Sequence, residues 1–194
     1  EATSDMAVHA GQAALADAGV LPEAIDGVIV ATASPDHVTP STANFVQQRL
    51  GLRPVPSYDL NAGCTGSLYA LITASGLIQA GMCQPMLVIG AELVTRMVDE
   101  QDQETALVFG DGAGALVLQG GPGRRGDLRV LAHLWGSDGS KAQHIILPAG
   151  GSRSPASHHT VDDRQHFLRM NGSSVFRFAV RTLPLMVQEV LDKA

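Results

Sequence analysis

The chain has 194 residues, of which 45% are hydrophobic, 16% charged and 4% aromatic, a composition too apolar and too weakly charged for a disordered chain. Its 21 glycines follow no collagen period, no apolar run approaches the ~18 residues that cross a bilayer, and a net charge of -6 argues against a nucleic-acid or anionic-membrane surface as its main business. Two cysteines, Cys64 and Cys83, are too few for a disulfide scaffold and match no zinc spacing. A reducing, cytoplasmic setting and no bound metal are therefore expected.

The apolar and small residues from Met6 to Ala18 recur at helical spacing, with Ser4 placed to cap the helix and Gly19 to end it. Ile25 to Ala33 is a short aliphatic run rich in β-branched residues, the pattern of a strand covered on both faces. A loop containing Pro35 and Pro40 leads to a second helix capped by Ser41 or Thr42 and ended by Gly51. Val55 to Leu60 reads as a strand, Gly63 to Gly81 as a long, buried, small-residue helix, and Pro85 to Gly90 as a third strand. Thr105 to Phe109 and Ala113 to Leu118 read as one broken strand around GDGAG. This alternation indicates an α/β protein with a largely parallel sheet. GGPGRRG, from Gly120 to Gly126, is the sharpest change of composition and predicts a linker. Beyond it, Leu128 to Trp135 reads as a strand, 136–165 as polar loops, and Ser173 to Leu191 as a helix that Pro184 should kink or split.

The chemistry concentrates in Asp59-Leu60-Asn61-Ala62-Gly63-Cys64-Thr65-Gly66-Ser67. A strand ends, a tight turn follows, and a cysteine stands at the start of a helix, where the unpaired N–H groups favour thiolate over thiol. Such a thiolate suits nucleophilic acceptance of an acyl group. A buried structural cysteine is the competing reading, and for Cys83 it is the simpler one.

The blocks DLNAGCTGSLYAL, MLVIGAELVTR, ALVFGDGAGALVL and NGSSVFRFAV follow one another in an order that resembles the ketoacyl synthase III family of condensing enzymes. The resemblance implies a thiolase-like layered α-β-α-β-α fold, with residues 1–122 forming an N-terminal half that lacks its first strand and 123–194 a linker and the start of a C-terminal half. That missing strand is expected in the middle of the first sheet. The resemblance also implies that Cys64 takes an acyl group from coenzyme A or an acyl carrier protein, and that the group is condensed with a malonyl thioester by decarboxylative Claisen chemistry. Coenzyme A thioesters enter as substrates, no cofactor is required, and a homodimer is implied. No residue here matches the family's decarboxylating His and Asn, nor its second oxyanion-hole donor. The chain, which opens without Met and ends in mid-pattern, is thus expected to be an interior piece that neither turns over nor folds stably alone.

The same resemblance marks four further positions. Ser67 stands where an aromatic residue is frequent, and Gln103 where many members carry an arginine that stacks on the adenine of coenzyme A. Thr39 and Phe109 fall on positions that line the acyl pocket, and a small residue at 39 leaves room for more than acetyl. A solvated linker is the plain reading of Arg124, Arg125 and Arg129, and a solvated loop that of His158, His159, His166, Asp162 and Asp163. Glu92 reads as an ion-pair or capping residue. Two alternatives remain open: a same-fold acyltransferase to an oxygen or nitrogen acceptor, and a non-catalytic partner subunit, which would have no need of Cys64.

Overall fold

Strand β1, Gly27–Ala31 (GVIVA), is buried at every residue because helices cover both of its faces. It belongs to a computed structural model that describes residues 1–123 and 126–194. Arg124 and Arg125, the centre of the predicted basic linker, lie outside the described residues. The chain divides into two units, Glu1–Leu93 with Gly110–Leu128, and Val94–Phe109 with Arg129–Ala194.

In the first unit, β1 pairs in parallel with β2 (Ser57–Leu60) on one side and with β3 (Met86–Glu92) on the other. β4 (Gly112–Leu118) then joins β3 antiparallel, giving the order β2-β1-β3-β4. Each strand bonds the next along this order. Side chains alternate along the strands. Val28, Val30, Leu87 and Ile89 face helices α1 (Thr3–Ala18) and α2 (Thr42–Arg49), while Ile29, Ala31, Met86 and Val88 face α3 (Gly66–Gln79). Burying each large aliphatic side chain contributes about 1.5–3 kcal/mol.

Both covering helices take acceptors for their first N–H groups from outside their own sequence, and α1 adds one of its own. Ser4, predicted to cap α1, is buried inside its first turn and donates its backbone N–H to Asp36 Oδ1 at 2.8 Å, while Asp5 accepts from Ala2 at 2.7 Å. Ser41 and Thr42 likewise make no side-chain cap for α2. Asp59 of β2 accepts from Thr42 N–H at 2.7 Å and from Ala43 N–H at 2.8 Å. Gly19 and Gly51 end the helices in left-handed conformations, as their positions predict. Gly66, Ala70 and Ala74 form the face of α3 buried against the sheet, Ile72 is buried on another face, and Leu68 is 58% exposed. The small residues therefore serve one tight contact and not burial all round.

Surface aspartates tie loops to this framework. The Ala2 N–H and the Arg49 guanidinium hold the Asp5 carboxyl below its ordinary 3.8, and the Gln84 N–H and Arg53 do the same for Asp26. A lowered folded-state value means stability that is present above pH 3.8 and lost as pH falls through the folded values. Acid titration followed by circular dichroism should therefore show loss of structure below about pH 4, with a shallower slope in Asp26→Asn.

In the second unit, the segment predicted as the first part of a broken strand is a helical turn instead, α4 (Gln103–Ala106). Asp102 dictates this, its carboxylate accepting from Glu104 N–H and Thr105 Oγ1. Leu128 to Trp135 carries no strand among the described residues either, and Leu128 is 96% exposed. The region 136–165 holds more order than predicted: a short β5 (Ile145–Ile146), paired with β6 (Arg169–Met170), and α5 (His158–Asp162), capped by Ser157. Helix α6 (Gly172–Lys193) runs through Pro184 unsplit, and Asn171 caps it. Among the described residues, no helix is long and apolar enough to cross a membrane.

Candidate active site

Cys64 sits where β2 hands over to α3. After Leu60 the chain leaves the sheet, Asn61 Oδ1 accepts from Gly63 N–H at 3.2 Å, and Thr65 Oγ1 donates to Ala62 O at 3.0 Å. Gly63 is left-handed, with φ +54°, and opens the 3-10 turn Gly63–Thr65 that carries Cys64 into the first residue of α3. The sulfur-bearing residue is exposed and its thiol is free.

A cavity of about 500 Å³ opens beside it, lined by Cys64, Ser67, Leu68 and Leu71 on the helical side and by Ala31, Gly90, Glu92 and Gly112 to Leu116 on the strand side. Close approach of α3 to the sheet creates this wall. A Cβ on Gly66 would stand 3.4 Å from the Ala31 methyl, and one on Gly90 only 3.2 Å from Ser67 Cβ. Gly112 and Gly114 of the GDGAG sequence belong to β4 itself and bare their backbone to the cavity. Glu92 fastens the ends of β1 and β3 together. It accepts from Ala33 N–H at 2.8 Å and Ser34 Oγ at 2.6 Å, and Ser34 Oγ accepts from Leu93 N–H at 2.8 Å.

Of the residues marked in the sequence, Cys64 and Ser67 share this cavity. Thr39 belongs to the same unit but stands in the exposed loop before Pro40, away from the cavity lining. Gln103 and Phe109 belong to the second unit, Gln103 exposed as the first residue of α4 and Phe109 half-buried after it. His159 faces Asp163 at 3.3 Å and His166 Nε2 lies 3.0 Å from Thr160 Oγ1. Among the described residues no group of three or more His, Cys, Asp or Glu is placed to hold a metal ion. Leu68 and Leu71 were not marked as lining residues, yet the i, i+4, i+7 spacing from Cys64 puts them on its helix face.

The profile of the 3-oxoacyl-[acyl-carrier-protein] synthase III family matches residues 58–139, a span that contains the Cys64 turn, β3 and β4. A β-ketoacyl-[acyl-carrier-protein] synthase III of Symbiobacterium thermophilum is 44% identical over 194 residues, all of this chain and 58% of that protein. The chain is ketoacyl synthase III-like. The synthase III 3 of Streptomyces coelicolor is 46% identical over 99% of this chain and 57% of its own length. The crystal structure of the Pseudomonas aeruginosa PAO1 synthase III superposes on the whole chain with a TM-score of 0.85 at 34% identity, covering 56% of that structure. The priming β-ketosynthase of the R1128 polyketide pathway does so with a TM-score of 0.85 at 30% identity, covering 56% of its chain. The fold of this ketoacyl synthase III-like chain is thus thiolase-like, and the chain spans a little over half the length of the relatives it matches.

Backbone conformation, not room, limits position 63. No heavy atom lies within 4 Å of a Cβ built on Gly63, so any cost of Gly63→Val comes from its φ of +54°. The substitution should cost about 1–2 kcal/mol and displace the Cys64 sulfur within its turn. Urea unfolding read beside the rate of Cys64 alkylation by a small thiol reagent checks both.

Proposed function

We propose that the full-length protein to which this chain belongs is a condensing acyltransferase in which Cys64 is the nucleophile. The Cys64 sulfur attacks the carbonyl of an acyl-coenzyme A or acyl-carrier-protein thioester, the donor thiolate leaves, and an acyl-thioester forms on the enzyme. A malonyl thioester then loses carbon dioxide, its carbanion attacks the acyl carbonyl, and the Cys64 thiolate departs, leaving a β-ketoacyl thioester. The carrying observation is an exposed cysteine on a left-handed glycine turn at the head of α3, inside a cavity walled by bare backbone.

The Cys64 backbone N–H is one oxyanion donor in this scheme. Ser67 shapes the cavity wall, and Thr39, Phe109 and Gln103 are assigned to substrate contact. Coenzyme A thioesters arrive as substrates, so no resident cofactor is needed, and the working form is a cytoplasmic homodimer that meets an acyl carrier protein. Intact-mass spectrometry of the full-length protein mixed with a panel of acyl-coenzyme A donors tests the reading. One acyl increment on Cys64, discharged by malonyl thioester with release of a β-ketoacyl product, is expected. An adduct discharged only by an alcohol or amine would replace condensation with acyl transfer, and no adduct with any donor would sink the enzymatic reading.

A further inference from the structure

The strand that faces Cys64 across the cavity ends in a carboxylate. On β3, Met86 and Val88 pack toward α3, and the alternation of strand side chains carries Gly90 and Glu92 to the same face. Gly90 stands against Ser67, since a Cβ on it would lie 3.2 Å from Ser67 Cβ. Three residues back from Ser67, a rise of about 5 Å, is Cys64. Two residues forward from Gly90, about 6.7 Å, is Glu92. β2 and β3 are both parallel to β1, so α3, which joins them, runs back against the strands. Both steps therefore lead toward the same end of the sheet, and Cys64 and Glu92 line one cavity.

Glu92 is the one charged residue in that lining; the others are Cys64, Ser67 and glycine, alanine and aliphatic residues. Neutral donors hold its carboxylate. Oε1 accepts from Ala33 N–H at 2.8 Å, and Oε2 accepts from Ser34 Oγ at 2.6 Å and from Thr32 Oγ1 at 3.4 Å. Ser34 is fixed in turn, donating its N–H to Thr32 Oγ1 at 3.1 Å and accepting from Leu93 N–H at 2.8 Å. Among the described residues no Lys, Arg or His forms an ion pair with Glu92. The carboxylate is thus pinned in place without a counter-charge. A neutral chain entering the cavity meets little resistance from it, whereas a second carboxylate is repelled, the more so beside an apolar wall that screens poorly.

We infer that Glu92 is a specificity-determining residue that admits uncharged acyl groups to Cys64 and turns away those that end in a carboxylate. The inference rests on the proposed role of Cys64 as acyl acceptor. Its consequence is a division of labour between the two thioesters: the malonyl group, itself a carboxylate, is kept from acylating Cys64 and is left to act as extender.

The test compares, in the full-length protein, acylation of Cys64 by butyryl- and succinyl-coenzyme A, read by quenched intact-mass spectrometry. The two acyl groups have equal carbon counts and differ at the far end, methyl against carboxylate. Wild type should favour butyryl. Glu92→Gln, which keeps an acceptor for Ala33 N–H and loses the charge, should shift the ratio of rates about tenfold toward succinyl, and Glu92→Asp should hold the wild-type ratio. A change in Cys64 reactivity or in the fold alters both rates alike, so the ratio isolates the charge. Equal ratios in wild type and Glu92→Gln would overturn the inference and leave the condensing reading standing. Where no donor acylates Cys64, or Glu92→Gln does not fold, alkylation of wild-type Cys64 by iodoacetamide and iodoacetate decides, read by peptide mass. A preference for the neutral reagent greater than that of free N-acetylcysteine supports the charge filter, even if the condensing reading has failed. A preference no greater than that of N-acetylcysteine overturns it.

Discussion

On the condensing function proposed for the full-length protein, replacement of Cys64 by alanine should lower condensation by at least about a thousandfold, because the acyl-enzyme can no longer form. The same substitution should leave the urea midpoint almost unmoved. Cys64 is exposed in its turn and belongs to neither core cluster, and surface substitutions of this kind stay within about 0.5 kcal/mol. The pairing of these outcomes is the informative result. A large loss of rate with unaltered stability assigns the sulfur to chemistry, whereas loss of both would assign it to structure. Cys83 provides the control: it packs against the cluster of Ile29, Met86 and Val88 under α3, so its truncation should be felt in stability and not in the acyl adduct.

The second large effect concerns Asp59. Its two carboxylate oxygens each take one N–H from the first turn of α2. Hydrogen bonds to a charged group are worth about 1.5–3 kcal/mol each, and loss of a helix cap alone costs about 0.5–2 kcal/mol. These overlap, so Asp59→Ala should destabilise the protein by about 2–4 kcal/mol in urea unfolding. Asp59→Asn keeps one acceptor oxygen and should recover about half of that. Because Asp59 stands one residue before Leu60, where β2 gives way to the Cys64 turn, the acylation proposed for Cys64 should also slow in Asp59→Ala. Unchanged stability in Asp59→Ala would show that water replaces the carboxylate at the head of α2.

Much of the first unit was legible in the sequence. Two-sided burial of β1 follows from its unbroken aliphatic run, and the left-handed stops at Gly19 and Gly51 follow from glycine after a periodic segment. The cysteine at the start of a small-residue helix was legible for the same reason, since residues that permit close approach leave a compositional trace. Long-range partners leave none. Ser4 looked like a cap because it stands in the right place, yet the acceptor comes from Asp36, 32 residues on. Leu128 to Trp135 has the composition of a strand, but a strand is defined by its ladder, and none runs through it among the described residues. Thr105 to Phe109 carries β-branched and aromatic character, and a single capping aspartate outweighs it. Leu68 and Leu71 illustrate the reverse case, since their role could be read from spacing once the cysteine was chosen as origin.

The borrowed caps of α1 and α2 bear on the order of assembly. Neither helix satisfies its first N–H groups with a cap from its own N-cap side chain, and the acceptors arrive from a loop after β1 and from β2. Nascent α1 and α2 are therefore poor nuclei in the unfolded chain, where helix initiation is already costly. They become secure only when the parallel pairing of β1 with β2 delivers Asp36 and Asp59 to their ends. Folding of this unit should accordingly be governed by non-local contacts and proceed slowly for its size, with helix content and sheet formation rising together as one kinetic event.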